Sequence, residues 1–385
     1  MYRFVYSFPY ISFFLLLLLI FLWEISIKKE EPYKIKNIRV VIGISFLFFF
    51  GLRGFVNTDC INYYVFFQNL KTLWDGIAYE NIISDYNWEP GFVTSVYLFK
   101  SFIPNYFVWT FTWALIAFIT LNHFFSNKIK YYSLGYILFF IFGGYGICTN
   151  LMRASIAMFL FLYSIKYLEK KKWKQYIILN ILGCTFHITS IIYFLVTPII
   201  NKKLPIPLIV ALFVVLNIAY LLRIDVSNLL LIISNYTDSR ISLLINSYIA
   251  ENTFASTILS IGYIERIITY IIVIFLYKKC NTTYSKSRVI YLNSYIIYFL
   301  FYYLLWKSEA LSTRVGGLFI FSYWIIYADF FSYLKTKNNK KIFIILFSLY
   351  SILKLLSGQS QPYHQYKNIL FSNEKFEQAE KRIHM

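Results

Sequence analysis

Phe13-Phe14-Leu15-Leu16-Leu17-Leu18-Leu19-Ile20-Phe21-Leu22-Trp23, followed shortly by Lys28-Lys29, is the stretch whose reading decides the fold. It lies inside an apolar run over 10–27 that nearly reaches the roughly 20 residues a helix needs to cross a bilayer core. The run is long for the core of a signal peptide and no small-residue cleavage site follows it, so it reads as a retained first span. Working outward, apolar runs recur at 38–51, 105–124, 131–148, 151–168, 204–222, 256–277, 289–306, 315–334 and 342–356. In hydrocarbon every backbone polar group must be satisfied within its own segment, which makes these runs helices. The expected fold is therefore all-α, a polytopic transmembrane bundle of roughly 10–13 membrane segments forming one integral membrane domain over 1–385.

Composition agrees. The chain is 59% hydrophobic, 22% aromatic and only 14% charged, with a mean hydropathy of +0.58. A soluble chain carries about 25% charged residues, so this one lacks the polar surface to cover itself in water. Its net charge of +19 could suggest nucleic acid. The lysines and arginines instead form short runs between apolar segments, as the positive-inside rule predicts, so nucleic acid is set aside as a partner. Cys60, Cys148, Cys184 and Cys280 are scattered without a CxxC or Cys/His cluster, which supports neither a metal site nor a disulfide framework. There is no Walker loop, GxSxG, HExxH or dinucleotide fingerprint, so no cofactor is expected and an ATP-driven machine is disfavoured.

Two segments fail as ordinary spans. The stretch 90–103 is amphipathic and carries Lys100, which suits a short or re-entrant helix. The stretch 175–200 is too long for one untilted span and has His187 near its middle. Placing all the lysine-rich loops in the cytoplasm requires 90–103 not to cross and 175–200 to dip in and out as two half-helices. Irregular backbone at membrane depth is tolerated where protein buries it or water lines it, so both segments point to a cavity. The other side then holds the loops 52–89 and 223–255, the turn at His187, residues 307–314 and the tail 357–385.

That outer side carries the candidate chemistry. Arg53 follows the second span, with Asp59 and Tyr63 after it; Arg53 reads equally as a snorkelling interface cation and Asp59 as a solvated acid. Glu89-Pro90-Gly91 reads as a helix start, with proline at the first helical position and Glu89 at the positive end of the dipole. Arg153 opens an apolar helix, a costly place for a cation that normally has a partner. His187 sits in an apolar region and, unlike arginine, can take a proton near neutral pH. Arg314 opens a late span from the same side, Arg240 and Tyr248 lie in the long outer loop, and Glu265-Arg266 fall mid-span as structural or cavity-lining residues. Several outer arginines with few acids suggest an anionic ligand, because a guanidinium fork grips phosphate at two points.

The ordered set Leu52-Arg53-Gly54, Asp59, Tyr63, Glu89-Pro90-Gly91, Arg153-Ala154-Ser155-Ile156-Ala157 and Phe186-His187-Ile188-Thr189-Ser190 resembles the EpsG-like branch of the Wzy polysaccharide polymerases. Arg314 and the tail Gln361-Pro362-Tyr363-His364-Gln365-Tyr366 resemble its closing segment. Thr189 departs from the serine or small residue often found there. The resemblance spans nearly the whole chain and implies a GT-C-like glycosyltransferase in a bacterial plasma membrane, acting on the outer face. Its partners would be undecaprenyl-diphosphate-linked oligosaccharide repeat units, membrane lipids and a chain-length regulator protein, with no nucleotide sugar or cofactor. On this reading Arg153, Arg314 and Arg53 bind the diphosphate and His187 is the first candidate base, with Asp59 or Glu89 second. Arg240, Tyr248 and Tyr63 would meet the glycan. The rival functions are a lipid-linked oligosaccharide flippase, which should line a path across the bilayer with charge, and a membrane acyltransferase, which needs no set of outer arginines.

Overall fold

The computed structural model describes residues 4–27, 32–76, 88–224, 242, 260–279, 286–306 and 308–384. Its helices are α1 (Phe8–Ser26), α2 (Pro32–Phe46), α3 (Asp59–Asn69), α4 (Pro90–Phe102), α5 (Tyr106–Lys128), α6 (Tyr132–Phe139), α7 (Tyr145–Thr149), α8 (Met152–Glu169) and α9 (Trp173–Phe186). They continue as α10 (Ile192–Ile200), α11 (Ile206–Leu221), α12 (Ile261–Lys279), α13 (Lys286–Leu304), α14 (Glu309–Gly317), α15 (Phe321–Tyr333), α16 (Lys337–Gly358) and α17 (Phe376–His384). Among the described residues there is no strand, and the protein is an all-α polytopic membrane bundle. Among the described residues, four stretches are long and apolar enough to cross a bilayer: Phe4–Ser26, Tyr106–Lys128, Tyr132–Thr149 and Lys337–Gly358. On α16, Ile342, Ile345, Leu346, Leu349 and Leu353 are exposed, which suits a lipid-facing stripe rather than a watery one.

The two ambiguous segments keep their odd character. At 13 residues α4 is about 20 Å long, short of the roughly 30 Å hydrocarbon core. The stretch around His187 is broken: α9 stops at Phe186, a 3-10 turn covers Ile188–Ile191, and α10 begins at Ile192. The expected span over 315–334 is also two helices, α14 and α15, with a turn at 318–320 directly after Gly316-Gly317. Consecutive glycines end a helix because their backbone entropy disfavours continuing it. The expected span over 131–148 is kinked at Phe142–Gly143, where Gly143 takes a φ of 88°.

The chain divides into two compact units that interleave in sequence: Met1–Ser164 with Ile177–Ile191 and Phe331–Met385, and Ile165–Tyr176 with Ile192–Phe330. In the first, α1 packs on α6, and α5 packs on the π turn Leu47–Gly51 that ends the second apolar run. The carboxylate of Glu24 on α1 accepts from the backbone N–H groups of Tyr132 and Ser133, at 2.7 and 2.8 Å, and so caps the start of α6. The tail is folded rather than loose. Gly54 N donates to Lys367 O at 2.8 Å, Ile369 N to Leu52 O at 2.9 Å and Asn57 N to Tyr363 O at 2.8 Å. Arg382 on α17 then ties Glu374 (2.9 Å) to the carbonyls of Phe55 (2.7 Å) and Pro362 (3.0 Å). In the second unit α13 is central, touching α10, α11, α12 and α14. Its Asn293 amide donates to the carbonyls of Ile199 and Ile200 at the end of α10 and, most closely, to that of Lys202 just beyond it at 2.6 Å.

Candidate functional site

The site lies in the first unit, where three segments distant in sequence meet on one carboxylate. Glu89 occupies the N-cap position of α4 with Pro90 at N1, yet its side chain makes no capping bond. It turns away from its own helix. Arg153 Nη1 donates to Glu89 Oε2 at 2.6 Å, His187 Nδ1 meets Oε1 at 3.2 Å, and the backbone N–H of Ile188 donates to the same oxygen at 3.2 Å. Side-chain exposures are 13% for Glu89, 22% for Arg153 and 10% for His187, so all three are largely withdrawn from water while retaining an opening.

A missing side chain permits this meeting. A Cβ on Gly91 would collide with the Thr185 hydroxyl oxygen and lie 2.8 Å from the Thr185 carbonyl oxygen. Only glycine lets the start of α4 approach the last turn of α9 so closely, and that contact carries Glu89 to the break at His187. Aromatic packing then fixes Arg153. Its guanidinium lies 4.8 Å from the Trp88 ring and 6.0 Å from Phe92, while Trp88 is held by Phe66 at 4.2 Å and Tyr63 at 5.5 Å. A cation over an aromatic face is favoured by the ring quadrupole, the more so out of water.

Electrostatics follow from the geometry. Burial works against the charge on Glu89. The hydrogen bond from His187 and the charges of Arg153 and His187 outweigh it and hold the carboxyl down to about 2. Glu89 is therefore a fixed anion joining two basic groups, and a poor proton acceptor. The Nε of Arg153 is buried without a partner among the described residues, a donor with no acceptor.

The remaining expected site residues are placed as follows. Tyr63 lies beside Arg153, its hydroxyl donating to Asn150 O at 3.0 Å. Asp59 is the first residue of α3, and its backbone N–H donates to Asn150 Oδ1 at 3.3 Å. Arg53 stands apart from the trio: it is 5% exposed, donates to Phe50 O at 2.5 Å and faces the Met152 sulfur at 3.7 Å. Its backbone pairs with Asn368 of the tail, so it serves as a strap point there. Arg314 belongs to the second unit, in the last turn of α14. Arg240 and Tyr248 lie outside the described residues. Sequence reasoning overlooked Trp88 and Asn150. Their signals were present, one adjoining a candidate acid and the other a polar break three residues before a rim arginine. No group of three or more metal-ligating side chains occurs among the described residues.

A sequence model of the EpsG family matches residues 36–368. No curated protein and no solved structure matches the chain.

Proposed function

The chain belongs to the EpsG family, and on that premise we propose that it polymerises polysaccharide at the outer face of a bacterial plasma membrane. The family implies a polysaccharide polymerase-type glycosyltransferase role. In our reading the donor is a growing glycan on undecaprenyl diphosphate and the acceptor a lipid-linked repeat unit. The observation that carries this is the buried Glu89–Arg153–His187 constellation, which joins an anion-binding group to a proton-accepting group.

Glu89 accepts from Nδ1 of His187 and so selects the tautomer whose Nε2 carries the lone pair. Nε2 takes the proton of the acceptor hydroxyl as its oxygen attacks the anomeric carbon of the donor. The bond from that carbon to the diphosphate oxygen breaks, and undecaprenyl diphosphate leaves with the electron pair. Arg153 bears on the charge that develops there: one nitrogen stays on Glu89, while its unpartnered Nε remains for a phosphate oxygen. Arg53 and Arg314 remain proposed contributors to diphosphate binding, and Tyr63, Arg240 and Tyr248 to glycan binding.

The test is complementation of a strain lacking its polymerase. His187→Ala and Arg153→Ala are each expected to abolish full-length polymer and leave single repeat units on their carrier. Full-length polymer from both variants sinks the reading. Loss in Arg153→Ala with retention in His187→Ala moves the base to Asp59, since Glu89 is held too acidic. A flippase would instead leave no repeat unit displayed, and an acyltransferase would leave chain length unchanged.

A further inference from the structure

The second unit contains a buried cation that this reaction scheme does not use. Arg266 lies in the second turn of α12 and is 6% exposed. Its guanidinium stacks 3.3 Å from the centroid of the Tyr302 ring, with Tyr298, Tyr323 and Tyr303 within electrostatic reach. The side chain folds back along its helix, and a Cβ on Gly262 would lie 3.1 and 3.2 Å from its terminal nitrogens.

Arg266 Nε and the Tyr303 hydroxyl, the latter on a side chain only 1% exposed, are polar atoms of this cage with no hydrogen-bond partner among the described residues. Buried polar atoms are almost always paired, and the charge of Arg266 is felt at the Tyr303 phenol. A guanidinium can only donate, whereas a phenol can donate or accept, so a single oxyanion can accept from both. Arg266 Nε lacks an acceptor, and the Tyr303 hydroxyl has its own donor proton to offer the same group. The backbone adds to this, because the folded-back guanidinium lies against the first turn of α12, where the helix dipole is already positive. A cation is disfavoured there and an anion favoured. Glu265 is buried on the same turn and offsets part of the charge. Neighbouring helix positions do not face each other, so it is poorly placed to fill the fork of Arg266.

We propose that Arg266 and Tyr303 form a second oxyanion site, distinct in the chain from the Glu89–Arg153–His187 site, that takes a phosphate or diphosphate group at the end of a tyrosine-lined cage. The polymerase reading supplies the lipid that would bring it, since joining two lipid-linked substrates means holding two diphosphates. Anion binding itself does not depend on that reading.

The experiment is calorimetric titration of the full-length protein in lipid nanodiscs, with farnesyl diphosphate and with inorganic pyrophosphate as separate probes. Wild type is expected to bind two equivalents of farnesyl diphosphate, and Arg266→Met and Arg153→Met one each. Tyr303→Phe should weaken the Arg266-dependent site about tenfold, the effect of one hydrogen bond to a charged group. A core tyrosine with an unsatisfied hydroxyl would instead give a protein of equal or higher melting temperature and unchanged binding. Pyrophosphate binding as tightly as the prenyl probe identifies a free-anion site; much weaker binding identifies a lipid headgroup site. Stoichiometry unaffected by both Arg266→Met and Tyr303→Phe overturns the proposal. Two equivalents retained in Arg153→Met with one in Arg266→Met would count against the polymerase site while leaving this one standing.

Discussion

Arg153 and Arg266 are the same side chain made tolerable in two ways. Arg153 is held by a carboxylate at 2.6 Å and an indole face, and keeps 22% exposure. Arg266 is almost wholly enclosed and rests on a tyrosine ring. Removing one partner of a buried pair strands the other charge in a low dielectric, which costs far more than the pair is worth against an apolar replacement. The difference teaches where each unit is brittle. The first unit depends on Glu89 remaining ionised, while the second, whose arginine leans on a ring face, should tolerate its replacement by an apolar side chain.

The largest expected effect follows directly. Glu89→Gln should destabilise the protein by about 3 kcal/mol, because it leaves Arg153 without its counter-charge, and should abolish polymer. Arg266→Met should stay within about 1 kcal/mol of wild type, since a flexible apolar side chain refills the cage. Denaturant unfolding of both variants in the same mixed micelles measures this, and equal losses would erase the contrast.

Next comes the contact that assembles the first site. Gly91→Ala sets a methyl against Thr185 and is expected to cost roughly 2 kcal/mol. Polymer yield should fall with it, because Glu89 retreats from His187. Wild-type yield and stability would mean that the approach of α4 to α9 is not what holds the trio.

A double-mutant cycle of Glu89→Gln with Arg153→Met should then show a coupling of about 1.5 kcal/mol, against under about 0.5 kcal/mol for Glu265→Gln with Arg266→Met. Comparable couplings would mean that Arg266 is also held by an internal ion pair, and would weaken the case for a second anion site.

The smallest effect is a pH dependence peculiar to the first unit. The Glu89 carboxyl is held at about 2, below its ordinary 4.5, so the unfolded chain binds its proton more readily than the folded one. Its contribution is whole above about pH 4.5 and is lost as the pH falls towards 2. At pH 3.5 wild type should already have lost roughly 1 kcal/mol that the Glu89→Gln variant never had. Acid unfolding curves of the two proteins that run parallel from pH 5 to pH 3 would refute it.

Much of the fold was legible along the chain, because hydrocarbon imposes a length and a polarity on each segment independently of its neighbours. The run 10–27, the shortness of 90–103 and the break near His187 all follow from local chemistry. Proline at the first position of α4 did too, whereas the division of 315–334 after Gly316-Gly317 was not anticipated. The site was legible only as a set of separate suspects. Arg153 betrayed itself by being a cation at the head of an apolar helix, and His187 by interrupting one.

What those residues do to one another is a tertiary matter. Glu89 is 64 residues from Arg153 and 98 from His187, and no local rule distinguishes a capping glutamate from one that turns off its helix to bind both. Packing decided that, through the bare backbone of Gly91 against Thr185 and the wedge of Trp88 under Arg153. Packing likewise made Arg53 a strap point for the folded tail and enclosed Arg266 among tyrosines. A bilayer constrains every segment alone, so class and span character are written in sequence. The partner of a buried charge is whichever group the packed chain delivers within about 3 Å, and only the folded molecule decides it.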